Sequence, residues 1–249
     1  MPRRMRQKIR ALQWRIDTTW NISRGIQALG LYKQFRNDLR KYRSLPSAET
    51  IDAIDFWPCI FDKTETSEIP SHYFYQAAWA ARRVVQTYPN IHVDVGSQLD
   101  LIATLSAVVP LVFIDIRRLN SPLSNLHSLS GSILNLPFAT NSIKSISCLH
   151  VIEHIGLGRY GDPFDPEGTK KAAAELCRVL AKGGNLFLST PIGRERVCFN
   201  AHRIHYPETI LRYFDELDLV EFSCEDSNRY YENAKPLDYK DASYSCGMF

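Results

Sequence analysis

The sequence predicts an α/β fold built on a doubly wound, mostly parallel sheet, and three observations carry that prediction. The run Ile91-His92-Val93-Asp94-Val95 is rich in β-branched residues and ends in Asp94-Val95-Gly96, the pattern of a buried strand turning sharply into a helix. A second apolar run, Leu111 to Ile114, ends in Asp115, 19 residues after Gly96. A nucleotide-binding βαβ unit places the carboxylate that holds the ribose hydroxyls at roughly that distance. Farther on, apolar strand-like runs alternate with helical patterns, as a parallel sheet with crossover helices requires.

With 249 residues, 45% of them hydrophobic and 23% charged, the chain has an ordinary globular composition and enough length for one large α/β domain. No apolar run approaches the roughly 20 residues that span a bilayer. The basic start is not followed by the apolar segment of a secretory signal. Six cysteines, none in a C-x-x-C pair, point away from a disulfide framework or a zinc ribbon. Reduced thiols in the cytoplasm are the expectation, with peripheral contact at the inner face of a membrane as an extension of it. The net charge of +3 is unevenly spread. Residues 1–45 carry 12 Lys and Arg against Asp17 and Asp38, a net of +10, and the remainder is acidic.

Taken in order, residues 1–45 read as a basic amphipathic helical extension. Met5, Ile9, Leu12 and Ile16 recur at helical spacing among arginines, and a second helical pattern follows at Leu31, Phe35 and Leu39. A helix of the first kind suits an anionic membrane surface, with Trp14 near the headgroups, or packing on its own domain or a second subunit; the acid-poor start also permits a mitochondrial presequence, though serine is sparse there. No nucleic-acid motif accompanies the charge, so a nucleic-acid partner is not expected. Residues 46–69, punctuated by Pro46 and Pro58, read as a linker or lid. The α/β domain spans 70–249. Its first helix runs from Pro70-Ser71 through Tyr75, Ala78, Ala81 and Val85 to Pro89-Asn90 and delivers the chain to the strand before Gly96.

Leu99 to Val109 reads as a helix packed on the sheet, and Ser145 to Leu149 as a strand leading into His150-Val151-Ile152-Glu153-His154-Ile155. Asp165-Pro166 opens a helix with inner face Ala173, Leu176, Cys177 and Leu180, ended by Gly183-Gly184. Leu186 to Leu188 is apolar on both faces, as a central parallel strand should be. Pro207 to Tyr213 reads as a helix, Leu219 to Phe222 as a sixth strand and Tyr244 to Phe249 as the last strand, with residues 226–242 a long polar connection.

Five ordered motifs now resemble the class I S-adenosylmethionine-dependent methyltransferases: Asp94-Val95-Gly96, Asp115, Leu136-Pro137-Phe138 with Asn141-Ser142, His150 to Ile155, and Glu175 to Pro191. More narrowly, Asp94-Val95-Gly96-Ser97, His154 to Pro163 and Gly193 to Arg203 look like a bacterial and nematode family of unknown function with that fold. The resemblance implies a Rossmann-like seven-stranded sheet closed by an antiparallel hairpin, and S-adenosylmethionine as cofactor. It implies cofactor contacts from Asp94, Gly96, Ser97, Asp115, Ile133 and Leu134. Ser132 stands where many members carry an acid that touches the adenine amine.

His150, Glu153 and His154 follow a parallel strand and so sit at its carboxyl end, where such sheets bind ligands. They are the catalytic candidates, since a histidine there is suited to deprotonating an acceptor hydroxyl. Arg159, Arg194, Arg196, His202 and His205 are the candidates for substrate binding, because arginine forks match carboxylate or phosphate. The expected activity is therefore methyl transfer to a small-molecule or glycan-type acceptor, anionic acceptors included. Two alternatives stand beside it: a non-catalytic methyltransferase-like binding module recruited to a membrane or complex, and, remotely, a zinc hydrolase using the letters H-x-x-E-H. The latter motif needs a long helix, whereas Gly156 and Gly158 break this one; no metal is expected.

Overall fold

The computed structural model describes residues 22–249 except Glu68 and Pro70, and the described residues fall into two compact units, the first ending before Glu68 and the second beginning at Ile69. The basic helix expected over Pro2 to Ile16 lies outside the described residues. In the first unit, helix α1 (Ile22–Arg43) matches the second helical pattern and ends in Arg40, Lys41 and Arg43, cations that favour the negative end of the helix dipole. The following segment folds back on it. The Arg43 guanidinium donates to the Ile51 carbonyl at 2.7 Å, the Tyr42 hydroxyl bonds Glu49, and Phe56 packs edge-on against Phe35 at 6.0 Å.

The second unit opens with α2 (Ser71–Thr87), β1 (His92–Val95), α3 (Leu99–Ser106), β2 (Leu111–Asp115), β3 (Leu126–Ser130) and β4 (Ile143–Leu149). Helix α4 (Gly168–Val179), β5 (Leu180–Ile192), the hairpin β6 (Arg196–Cys198) and β7 (His202–Ile204), and α5 (Pro207–Tyr213) follow. The chain closes with β8 (Ser223–Asp226), β9 (Arg229–Tyr231) and β10 (Ser245–Met248). The main sheet has the order β3-β2-β1-β4-β5-β10-β8-β9. Strands β1 to β5 pair in parallel, and β10 runs antiparallel between β5 and β8. The expected antiparallel closure is present, with eight strands rather than seven because β9 adds an outer edge to β8.

Alternate residues of the central strands feed two cores, one on each face. Val93, Ile114, Cys148 and Leu188 pack against Ala172, Ala173 and Leu176 of α4 and Ile210 of α5. Phe113, Leu149 and Phe187 pack against Trp79, Ala80 and Val84 of α2 and Ile102 and Leu105 of α3. Helices on both faces are what make the sheet doubly wound, and they leave its carboxyl-terminal edge open for ligands.

Four expectations shift. The buried face of α2 is Gln76, Trp79, Ala80 and Val84, one step round from Tyr75, Ala78, Ala81 and Val85; Val85 is 45% exposed. Helix α4 starts at Gly168 and stops at Val179, before Gly183. The amides of Asn141 and Ser142 donate to the Arg178 and Val179 carbonyls, satisfying the helix end and letting Leu180 turn extended. The sixth strand falls at Ser223–Asp226 instead of Leu219 to Phe222: Val220 is 90% exposed, and Glu221 is held by side chains, with Arg83 Nε donating to it at 2.8 Å. The third strand that the resemblance implies was placed by no local pattern: it is β3, Leu126–Ser130, short and mostly polar.

Candidate active site

Beneath the first turn lies a buried polar chain. Asp94 Oδ1 accepts the Ser97 amide at 3.0 Å, its Oδ2 accepts the Ser147 hydroxyl, and Ser147 Oγ lies 2.8 Å from His92 Nε2. The Ser97 hydroxyl in turn accepts the Leu149 amide at 3.0 Å. Asp94 therefore shapes the turn from below and does not line the clefts above it. Burial pushes the His92 pKa down to about 4 and that of Asp94 up to about 6. Between those values the two groups pull stability in opposite directions. Native Asp94 keeps a proton that the unfolded chain has released, so its contribution falls as pH rises. Native His92 refuses a proton that the unfolded chain accepts, so its contribution rises with pH. The two slopes should nearly cancel in the native chain. Between about pH 4 and 6, the stability of His92→Gln should fall by about 3 kcal/mol relative to His92→Gln/Asp94→Asn, the difference between the two urea-unfolding profiles isolating Asp94 from the other titrating groups. Parallel profiles would show that Asp94 is not the buried acid described.

At the carboxyl ends of β1, β2 and β4, two adjoining clefts of about 90 and 420 Å³ share Gly96, Asp115, Arg117, His150, His154 and Tyr160. Gly96 has φ +70°, and a β-carbon there would lie 3.3 Å from the Val151 methyls and 3.8 Å from Asp115 Oδ2. A bare backbone is thus presented beside the carboxylate. Asp115 Oδ1 accepts the Arg117 amide at 2.7 Å and Arg117 Nε at 3.2 Å. Ile133 lines the smaller cleft and Ser97 the larger, while Leu134 lies outside both.

His150 leaves β4 with φ +55°, a left-handed conformation that a β-carbon disfavours, and the chain then makes a single 3-10 turn over Ile152–His154. H-x-x-E-H is therefore not carried on a helix. His150 Nδ1 lies 3.1 Å from Glu153 Oε1, and its Nε2 lies 3.2 Å from Cys246 Sγ. Burial opposes charge on this imidazole, but Cys246 and Glu153 outweigh it and hold the pKa above the ordinary value. Burial likewise opposes charge on Glu153, yet His150 holds its carboxyl below the ordinary range. His154 is different. Burial lowers its pKa, and its Nδ1 lies 2.6 Å from the Ala201 carbonyl, which can only accept. The proton therefore sits on Nδ1 and the lone pair on Nε2. Of the two histidines lining the clefts, His154 is the one arranged to take up a proton.

Loop 155–168 is closed by its own Asp162 and by Arg203 of β7. The Gly156 amide donates to Asp162 Oδ2 at 2.6 Å, and Arg203 donates to the Ile155 and Asp165 carbonyls at 2.5 and 3.0 Å. Arg159 reaches the larger cleft while bonding the Ala201 carbonyl at 3.0 Å. His202 stands 6.5 Å from His154, ring to ring, outside the clefts. Arg196 forks onto the Arg194 and Ser243 carbonyls, and His205 is buried against Glu195 at 3.4 Å; with Arg194 they too lie outside the clefts. The sequence reading missed Arg117, Arg118, Tyr73 and Tyr160, which line the larger cleft. The first two follow Asp115 at the end of β2, the edge where such sheets bind ligands, and that position was the available signal.

Residues 125–243 match the family described as "Caenorhabditis protein of unknown function, DUF268". No curated protein matches the chain in sequence. Among solved structures it is similar to a Galdieria sulphuraria protein assigned as a sarcosine dimethylglycine methyltransferase, at 16% identity and TM-score 0.45, covering 60% of this chain and 62% of that one. It is similar to the Burkholderia thailandensis 1,6-didemethyltoxoflavin-N1-methyltransferase, solved with S-adenosylhomocysteine, at 12% identity and TM-score 0.44, covering 72% and 76%. It is also similar to the Haemonchus contortus phosphoethanolamine N-methyltransferase 2, at 14% identity and TM-score 0.44, covering 62% and 39%. The chain spans less than two thirds of the first and third of these. With its five parallel strands, its antiparallel β10 and helices on both faces, the chain has a doubly wound Rossmann-like sheet, and its residues 125–243 match a family of unknown function.

Proposed function

We propose that the protein binds S-adenosylmethionine and transfers its methyl group to a small-molecule or glycan-type acceptor. The observation that supports this most directly is the pairing of Gly96 and Asp115 across the β1–β2 crevice: a backbone without a β-carbon faces a carboxylate at the end of the second strand. The residues fit the cofactor. Asp115 would hold the ribose hydroxyls, Gly96 would admit the methionine part, and Ile133 with Ile116 would offer apolar contact to the base. When bound, the cofactor supplies an electrophilic methyl group on a sulfonium sulfur. The protein supplies position and proton handling. His154, with its lone pair on Nε2, accepts the acceptor's proton, and the ion-paired His150 and Glu153 fix the strand end beside it.

Titration calorimetry of the full chain with S-adenosylmethionine and S-adenosylhomocysteine tests this. Saturable binding of both is expected. Binding of neither would overturn the enzyme reading and leave a non-catalytic module.

A further inference from the structure

We propose that the larger cleft is an oxyanion site that seats the phosphate of a phosphorylated acceptor, with Arg117, Arg118 and Arg159 as its cationic donors. Calling the anion an acceptor rests on the methyl-transfer reading; the site itself does not. Two separate segments bring these arginines to one cavity, Arg117 and Arg118 from the end of β2 and Arg159 from the loop after β4. Tyr160 gathers two of them: the Arg117 and Arg159 guanidinium carbons lie 5.0 and 5.1 Å from its ring centroid. Arg117 spends Nε on Asp115 and Arg159 one Nη1 N–H on the Ala201 carbonyl, and stacking on the ring face fixes both planar forks while leaving their remaining edge N–H groups to bind.

Charge decides what they bind. Asp115 is the one carboxylate among the described residues lining the cleft, so three guanidiniums leave a surplus of two positive charges. The proposed cofactor does not offset it, because a sulfonium and an ammonium outweigh its single carboxylate. A phosphate monoester, near −2 at neutral pH, does. Arg118 is exposed at the rim, so its presence in the cavity is not required by packing.

The test is calorimetry of the full chain at low ionic strength with inorganic phosphate, pyrophosphate and acetate, alongside S-adenosylhomocysteine. Phosphate and pyrophosphate should bind more tightly than acetate. Arg118→Gln and Arg159→Gln should each weaken them about fivefold or more, the loss of a charge-assisted hydrogen bond. Arg82→Gln, an exposed position on α2 outside the cleft, should leave them unchanged. No phosphate binding, equal binding of acetate, or an equal loss in Arg82→Gln would overturn the site. If S-adenosylhomocysteine binds and phosphate does not, the oxyanion site falls and the methyl-transfer reading stands. Arginine-dependent phosphate binding without S-adenosylhomocysteine would keep the site and remove the methyl-transfer reading.

Discussion

Replacing Asp115 with alanine should weaken S-adenosylhomocysteine binding by about tenfold or more, as expected for one or two charge-assisted hydrogen bonds to the ribose. The side chain is 13% exposed and one oxygen is committed to Arg117, so the other, over Gly96, is the one available to a ligand. Asp115→Asn separates charge from shape: it should lose less than alanine if hydrogen bonding dominates, and as much if charge does. Urea unfolding of each variant shows whether the fold is kept. Unchanged affinity in a folded Asp115→Ala protein would show that this carboxylate does not hold the cofactor.

Gly156→Ala should destabilise the protein by about 3 kcal/mol or more, because the added carbon has nowhere to go. The glycine has φ +81°, and a β-carbon would lie 2.1 Å from the Asp165 carbonyl oxygen. Its own amide and carbonyl are both engaged, with Asp162 and Asp165. The contact must open, and His154 and Ile155, which precede it and line the clefts, must move with it; ligand affinity should fall as well. Gly161→Ala provides the comparison. There φ is +84° but nothing lies within 4 Å of the new carbon, so only the backbone strain of about 1 kcal/mol should appear. Equal losses at the two positions would refute the steric argument.

The elements that were legible in the sequence are those whose burial leaves a local imprint. Strand β2 is an apolar run that ends in Asp115, and β1 and β4 keep β-branched or apolar residues at alternate positions between buried polar ones, so Gly96 and Asp115 stand at strand ends that local pattern defines. Strand β3 left no imprint. It is an edge strand with only Leu126 buried, so no local alternation marks Leu126-His127-Ser128-Leu129-Ser130 as a strand. The face of α2 was displaced by one residue because its buried stripe includes Gln76, whose side-chain oxygen accepts the Ser189 hydroxyl at 2.7 Å; hydrophobic spacing does not register a satisfied polar core residue.

The sequence by itself determined the fold class, the ordered motifs and the strand ends at which a site must lie, because these follow from local periodicity and from turns that glycine permits. Only the tertiary structure decided which side chains share the cavity. It joined His150 to Cys246, 96 residues away, and turned Asp94 inward beneath Gly96. It spent Arg196 and Arg203 on backbone carbonyls and gathered Arg117 and Arg159 around Tyr160. The reason is that an arginine's reach exceeds the spacing between neighbouring loops, so its partner is set by which loops the sheet brings side by side, and no pattern local to the arginine records that.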